Sequence, residues 1–285
     1  MSVSPSRILL ATTQGAQLAS ALYPLHFDAI ARDGFSWNHP SGSMVAPNPT
    51  GVYWASAANP GHGVCSFAIA ASSGSILLRE NEDEWALERS QCIQGQHEAV
   101  AVDWLGTNVV LKGCREGAIR LWDTRSGAES AEPRIQHTSA INHARSIDEN
   151  FIVVAGLQNE LCTYDIRYAK RASLAHATQP YDRFPAYRNN ALNHLSIGLD
   201  LHRNLVAAAT DDGRVQIFDV KKGVELECRI KNLGANAACV RFVDEQRSGN
   251  GLKLMVAAGP RIDGWAFEGP GDRDIHDRDM AHYCT

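Results

Sequence analysis

The residues able to do chemistry are few, and their spacing does not suit it. His26, His39 and His62 lie in a Gly- and Pro-rich stretch. Histidine is the commonest metal ligand, but ligation needs short fixed offsets that these three lack, and the stretch reads as a solvated loop. Asp272, Asp274, Asp277 and Asp279 offer carboxylates near the C-terminus, yet Arg273 and Arg278 are interspersed with them. Mixed signs at that density are the composition of a solvated tail. No glycine-rich loop is present to cradle a phosphate. A nucleophile with its base, or a matched carboxylate pair, is likewise missing from the pattern. The expectation is a chain that is not an enzyme, with no catalytic residue, no cofactor, no metal and no small-molecule ligand.

The bulk composition agrees. The chain has 285 residues, 44% hydrophobic and 21% charged, enough to bury a large core. A net charge of −5 provides no basic field, so direct nucleic-acid binding is not expected. The seven cysteines (Cys65, Cys92, Cys114, Cys162, Cys228, Cys239 and Cys284) are odd in number and contain no Cys-x-x-Cys pair. That fits reduced thiols serving as small apolar residues. The apolar run at residues 8–10 is too short for a signal sequence, and nothing reaches membrane-spanning length. An intracellular protein of the nucleus or cytoplasm, with no membrane partner, is the expectation.

The elements emerge from an internal repeat. Residues 110–125 (VLKGCREGAIRLWDTR), 152–167 (IVVAGLQNELCTYDIR) and 206–221 (VAAATDDGRVQIFDVK) align without gaps. Val109–Leu111, Phe151–Ala155 and Leu205–Ala209 are continuous apolar runs, as for strands buried on both faces. The turns Arg115-Glu116-Gly117, Gln158-Asn159 and Asp211-Asp212-Gly213 use residues that tolerate positive φ. Apolar residues then alternate, and each unit closes on an aromatic-Asp pair: Trp122-Asp123, Tyr164-Asp165 and Phe218-Asp219. Each unit is a β-hairpin within a larger sheet.

These units resemble the WD-repeat family, in which every repeat builds one four-stranded blade of a β-propeller. The Asp123 to Asp165 spacing of 42 fits a blade period of roughly 40–45. Asp165 to Asp219 is 54, about a dozen residues more. Weaker repeats run over residues 52–88 and 238–268, and Arg7–Thr12 with Gln17–Tyr23 reads as an N-terminal half blade. The fold expected is an all-β propeller of six or seven blades of four antiparallel strands over residues 1–268, either closing as a short six-bladed ring or lacking material at its N-terminus, followed by a charged tail at 269–285. His97 and His137 stand where the family places the histidine of its structural hydrogen-bond network. The match is partial, because Lys112-Gly113-Cys114 stands where a hydroxyl belongs and Glu116 and Gln158 replace an aspartate.

Two consecutive repeats end in Asp-x-Arg, at Asp123/Arg125 and Asp165/Arg167. This doubled W/Y-D-x-R ending resembles the signature of substrate receptors of cullin-4 RING ubiquitin ligases. The resemblance implies partner binding by Trp122, Asp123, Arg125, Tyr164, Asp165 and Arg167, with Arg125 and Arg167 docking on the ligase adaptor and the aspartates holding the turns. An unknown substrate protein would be the second partner. Asp-x-Arg also occurs in WD repeats generally, where the Arg pairs with the Asp and braces the turn. A scaffold subunit of another chromatin, RNA-processing or trafficking complex is therefore the alternative. The 169–190 insertion, with Arg171, Tyr181, Arg183, Phe184, Tyr187 and Arg188, is either a partner-binding loop or a decoration packing its own aromatics.

Overall fold

A computed structural model describes residues 2–3, 7–14, 19–26, 45–48, 52–61, 65–81, 84–89, 97–126, 133–169, 176–190, 192, 195–226, 230–231, 233–244 and 252–266. Six sheets follow one another along the chain. The first comprises β1 (Ser2–Val3), β2 (Arg7–Gln14), β3 (Ala19–His26) and β4 (Val45–Asn48); the second β5 (Tyr53–Ala58), β6 (Ser66–Ala71), β7 (Gly74–Asn81) and β8 (Glu84–Arg89). The third holds β9 (Ala99–Leu105), β10 (Val109–Cys114), β11 (Ala118–Asp123) and β12 (Ile135–Gln136); the fourth β13 (Ile141–Ser146), β14 (Phe151–Gly156), β15 (Leu161–Asp165) and β16 (Asp182–Arg183). The fifth holds β17 (Ile197–Asp200), β18 (Leu205–Ala209), β19 (Val215–Asp219) and β20 (Val224–Leu226); the sixth β21 (Ala237–Asp244), β22 (Leu252–Ala258) and β23 (Arg261–Ala266).

Among the described residues, five sheets thus have four strands and one has three. This corrects the expected six or seven four-stranded blades to five. The expected N-terminal half blade has four strands, because the short β1 and β4 flank the anticipated pair.

Contacts divide the chain into two compact units, residues 1–154 with 164–180, and residues 155–163 with 181–285. In the first, small and large apolar side chains interlock: Ala57, Ala68, Ala70 and Leu77 pack with Val102, Trp104, Val110 and Trp122. The Trp104 indole N–H is satisfied by the carbonyl of Ala57 at 3.0 Å. In the second, Ala207, Val215 and Ile217 pack with Val240, Leu254 and Val256. The first strand of each aligned hairpin is buried along nearly its whole length, as continuous apolar runs require.

The hairpin turns keep their expected backbone. Gln158 and Asn159 have φ of 58° and 61°, and Gly117 has φ of 87°. A Cβ on Gly117 would meet the carbonyl oxygens of His137 and Ser139 at 2.8 Å, so the turn requires glycine on two counts. No helix among the described residues is long and apolar enough to cross a membrane, a finding that does not bear on β-barrel membrane proteins.

Candidate functional site

The three aspartates that end β11, β15 and β19 build the same local frame. Asp123 lies opposite Val109 and Asp219 opposite Leu205, so each sits where the third strand leaves its neighbour. The amide of the next residue then crosses back to the turn before the second strand. Thr124 donates to the Asn108 carbonyl at 2.9 Å, Ile166 to Asn150 at 2.8 Å and Val220 to Asn204 at 2.8 Å. Each aspartate Oδ1 accepts the backbone N–H two residues on, at 3.0 Å from Arg125, 2.9 Å from Arg167 and 3.0 Å from Lys221. That is an Asx turn, which the short acceptor side chain of aspartate suits.

The two arginines fold back onto their own turns. Arg125 Nε and Nη2 donate to Asp123 Oδ1 and Oδ2 at 3.0 and 2.7 Å. Arg167 repeats this on Asp165 at 3.0 and 2.7 Å. The pairing is the bidentate fork that guanidinium geometry favours. The Arg125 guanidinium, helped by the Arg125 backbone N–H, holds the Asp123 carboxyl down at about 2. Arg167 lowers Asp165 in the same way. Each aspartate takes two of its arginine's five guanidinium N–H groups. Both side chains are exposed, Arg125 at 69% and Arg167 at 52%.

The third repeat departs. Lys222, not Lys221, reaches Asp219, with Nζ 3.4 Å from Oδ2. Burial raises the Asp219 carboxyl, but the backbone and ammonium N–H groups of Lys222, together with the Lys221 amide, outweigh it and the net direction is down.

Trp122 and Tyr164, expected among the partner-binding residues, are both 1% exposed. They anchor their strands in the interior and do not form a surface. The insertion needs a similar correction. Phe184 and Tyr187 are buried, Phe184 against Phe218 with ring centroids 5.1 Å apart, and burial pushes the Tyr187 phenol up to about 12. The insertion supplies the outer strand β16 and packs those two aromatics inward. Asn189 then ties it down, its amide donating to Asn159 Oδ1 at 2.8 Å. Tyr181 is exposed at 64%, Arg183 pairs with Glu160 at 2.7 Å, and Arg188 donates to the Pro185 and Tyr187 carbonyls. Arg171 lies outside the described residues, as do His39, His62 and residues 267–285.

Several contributors were not anticipated. Asn108, Asn150 and Asn204 each stand fifteen residues before the repeat's aspartate, and aligned windows begun two residues earlier would have shown them. Arg134 donates from Nε and Nη2 to the Ile166 carbonyl at 3.0 and 2.6 Å. Arg79 Nη2 makes the corresponding but longer contact, 3.4 Å, to the Thr124 carbonyl. The Arg167 guanidinium also lies over two rings, 5.6 Å from Phe151 and 5.5 Å from Tyr168.

At the other end of the hairpins the histidines occupy partial versions of the expected network. His97 Nδ1 is 2.8 Å from Glu116 Oε1, so the glutamate does the work of an aspartate. His137 Nδ1 is 2.7 Å from the Tyr164 hydroxyl. Groups of three or more His, Cys, Asp or Glu able to hold a metal are not found among the described residues.

Comparison with known proteins places these observations. No family model matches the chain. WD repeat-containing protein 21 of Schizosaccharomyces pombe is 24% identical over 156 residues, 54% of this chain and 32% of that protein, so the match spans about a third of the relative's length. The Cps50 (Swd1) β-propeller domain of Myceliophteria thermophila superposes with a TM-score of 0.66 at 14% identity, covering 94% of this chain and 82% of that one. A chain of the Mitotic Checkpoint Complex gives 0.61 at 14% identity over 91% and 71%, and the designed protein Ika8 gives 0.57 at 14% over 92% and 72%. The fold is a β-propeller, and the relative and the neighbours together support the WD-repeat reading; the cullin-4 receptor resemblance is not among what they support.

Proposed function

We propose that this chain is a non-catalytic interaction scaffold that docks, through Arg125 and Arg167, onto the adaptor of a cullin-4 RING ubiquitin ligase and serves as a substrate receptor. One observation carries the reading. Consecutive repeats present exposed arginines from superposable Asx turns, each held in a fixed orientation by two hydrogen bonds to its aspartate. A guanidinium already oriented loses less freedom on binding than a free side chain does. The ubiquitin chemistry belongs to other subunits, and the setting is intracellular, nuclear or cytoplasmic.

A scaffold role in another complex is the second reading, and the same hydrogen bonds favour it, since an Asp–Arg fork also braces a turn without any partner. Affinity purification of the tagged chain separates the two. The expected result is recovery of the ligase adaptor with the wild type and its loss in the R125A/R167A double variant. The melting temperature is the folding control: the exposed Asp123–Arg125 pair contributes little to stability, whereas removing Arg167 leaves the nearly buried Asp165 carboxylate with fewer donors, so a modest fall is expected from that half of the double variant. Equal recovery of the adaptor by wild type and double variant, or no adaptor with the wild type, would end the receptor reading; in the second case the proteins recovered instead define the complex.

A further inference from the structure

We infer that the two Asp-x-Arg tips are unequal, and that the docking surface is centred on the fourth-sheet tip, where Tyr168 is an anchor outside the W/Y-D-x-R motif. This rests on the receptor reading above.

The asymmetry has three physical sources. The Asp165 side chain is 5% exposed against 37% for Asp123, so the fork at Arg167 sits in a drier setting and competes less with water. The turn carbonyl between Asp165 and Arg167 receives both nitrogens of Arg134, at 3.0 and 2.6 Å, whereas the Thr124 carbonyl receives one contact of 3.4 Å from Arg79. The Arg167 guanidinium also lies over two rings, Phe151 and Tyr168, at 5.6 and 5.5 Å. The Arg167 tip is therefore pre-organised, and association costs it little ordering.

Tyr168 supplies the apolar half of the surface. It is the most exposed large hydrophobic side chain among the described residues, at 78%. A rigid aromatic beside an oriented arginine is the composition found at the energetic centre of protein interfaces. The charge balance selects the partner class. Asp165 neutralises Arg167, and Asp148, capping the Asn150 and Phe151 amides at 2.7 and 2.8 Å, is a second carboxylate close enough to act on the guanidinium. Such a tip has no net positive charge to hold phosphates. It fits a protein partner with an apolar pocket for the tyrosine ring, edged by carbonyl or carboxylate oxygens for the remaining N–H groups of Arg167. The ligase adaptor is the occupant to which the inference commits.

The test is the affinity of the purified full chain for the purified adaptor, with Y168A, Y168F, R167A and R125A beside the wild type. Y168A and R167A should each weaken binding by about thirtyfold, the scale of an interface hot spot. R125A should change it about threefold or less, and Y168F should bind like the wild type, because the ring and not the hydroxyl is the anchor. Tyr168 is exposed, so an unchanged melting temperature checks that Y168A folds. Wild-type binding with Y168A within twofold of it refutes the anchor alone. R125A losing more than R167A refutes the asymmetry. A wild type that binds no adaptor overturns the receptor reading and the anchor with it.

Discussion

Replacing Tyr164 by phenylalanine removes one oxygen from the interior and asks what that oxygen supports. The hydroxyl is 2.7 Å from His137 Nδ1, and the two residues are 1% and 2% exposed. Their rings meet edge-on, with centroids 5.9 Å apart at 79°, a contact that phenylalanine keeps. The substitution opens no cavity larger than a hydroxyl, so lost packing contributes little. The main cost is a buried ring nitrogen that loses its partner, worth about 1–3 kcal/mol. Chemical denaturation should therefore show a lower midpoint with an unchanged slope, since the surface exposed on unfolding is the same. In a chain of this size the melting temperature should fall by a few degrees, at roughly 2–4 °C per kcal/mol. The substitution leaves the Asp165–Arg167 hydrogen bonds in place, so the binding proposed for this tip should persist. A loss below about 0.5 kcal/mol, the range of ordinary surface substitutions, would refute the argument that the His137–Tyr164 hydrogen bond helps hold the fourth sheet.

Two further outcomes follow from local geometry. Gly117→Ala should destabilise by at least roughly 1–3 kcal/mol, from positive φ alone, with the close approach of the His137 and Ser139 carbonyls adding to it; thermal melting identical to the wild type would contradict this. Asp123 and Asp165 have folded values below the unfolded value of roughly 3.9, so the stability they contribute is complete above it and is lost as pH falls through the folded value, about 2 for Asp123. Carboxyl-carbon NMR titration should place the Asp123 midpoint near there in the wild type and return it towards the ordinary value in R125A, and a midpoint that does not move would show that the arginine is not its cause.

Much of this was legible in the sequence because the informative segments are long and periodic. The continuous apolar runs located β10, β14 and β18, and the gapless register put the three aspartates in equivalent positions. Short outer strands carry no pattern of their own. β1, β12 and β16 have two residues each, too few for any alternation to register, and their pairing comes entirely from the neighbouring strand. Of the two readings of the insertion, Phe184 and Tyr187 follow the packing one, which residue type alone could not select because it does not say which way a side chain turns; Phe218 and the buried Asn189 lie beside them. The Arg134 contact lies 32 residues from Ile166 in sequence, and no local spacing encodes a pairing at that distance.

The bonds from Arg79 to Thr124 and from Arg134 to Ile166 share a direction that has a practical result. In each case the brace comes from the preceding sheet in the chain, not from the sheet that bears the tip. Aim is thus inherited from upstream. Replacing Arg134 would loosen the turn that carries Arg167 while leaving the Asp123–Arg125 fork and its own contact from Arg79 in place. Re-aiming the Arg167 side chain would best begin by editing the sheet before it, leaving the motif itself untouched.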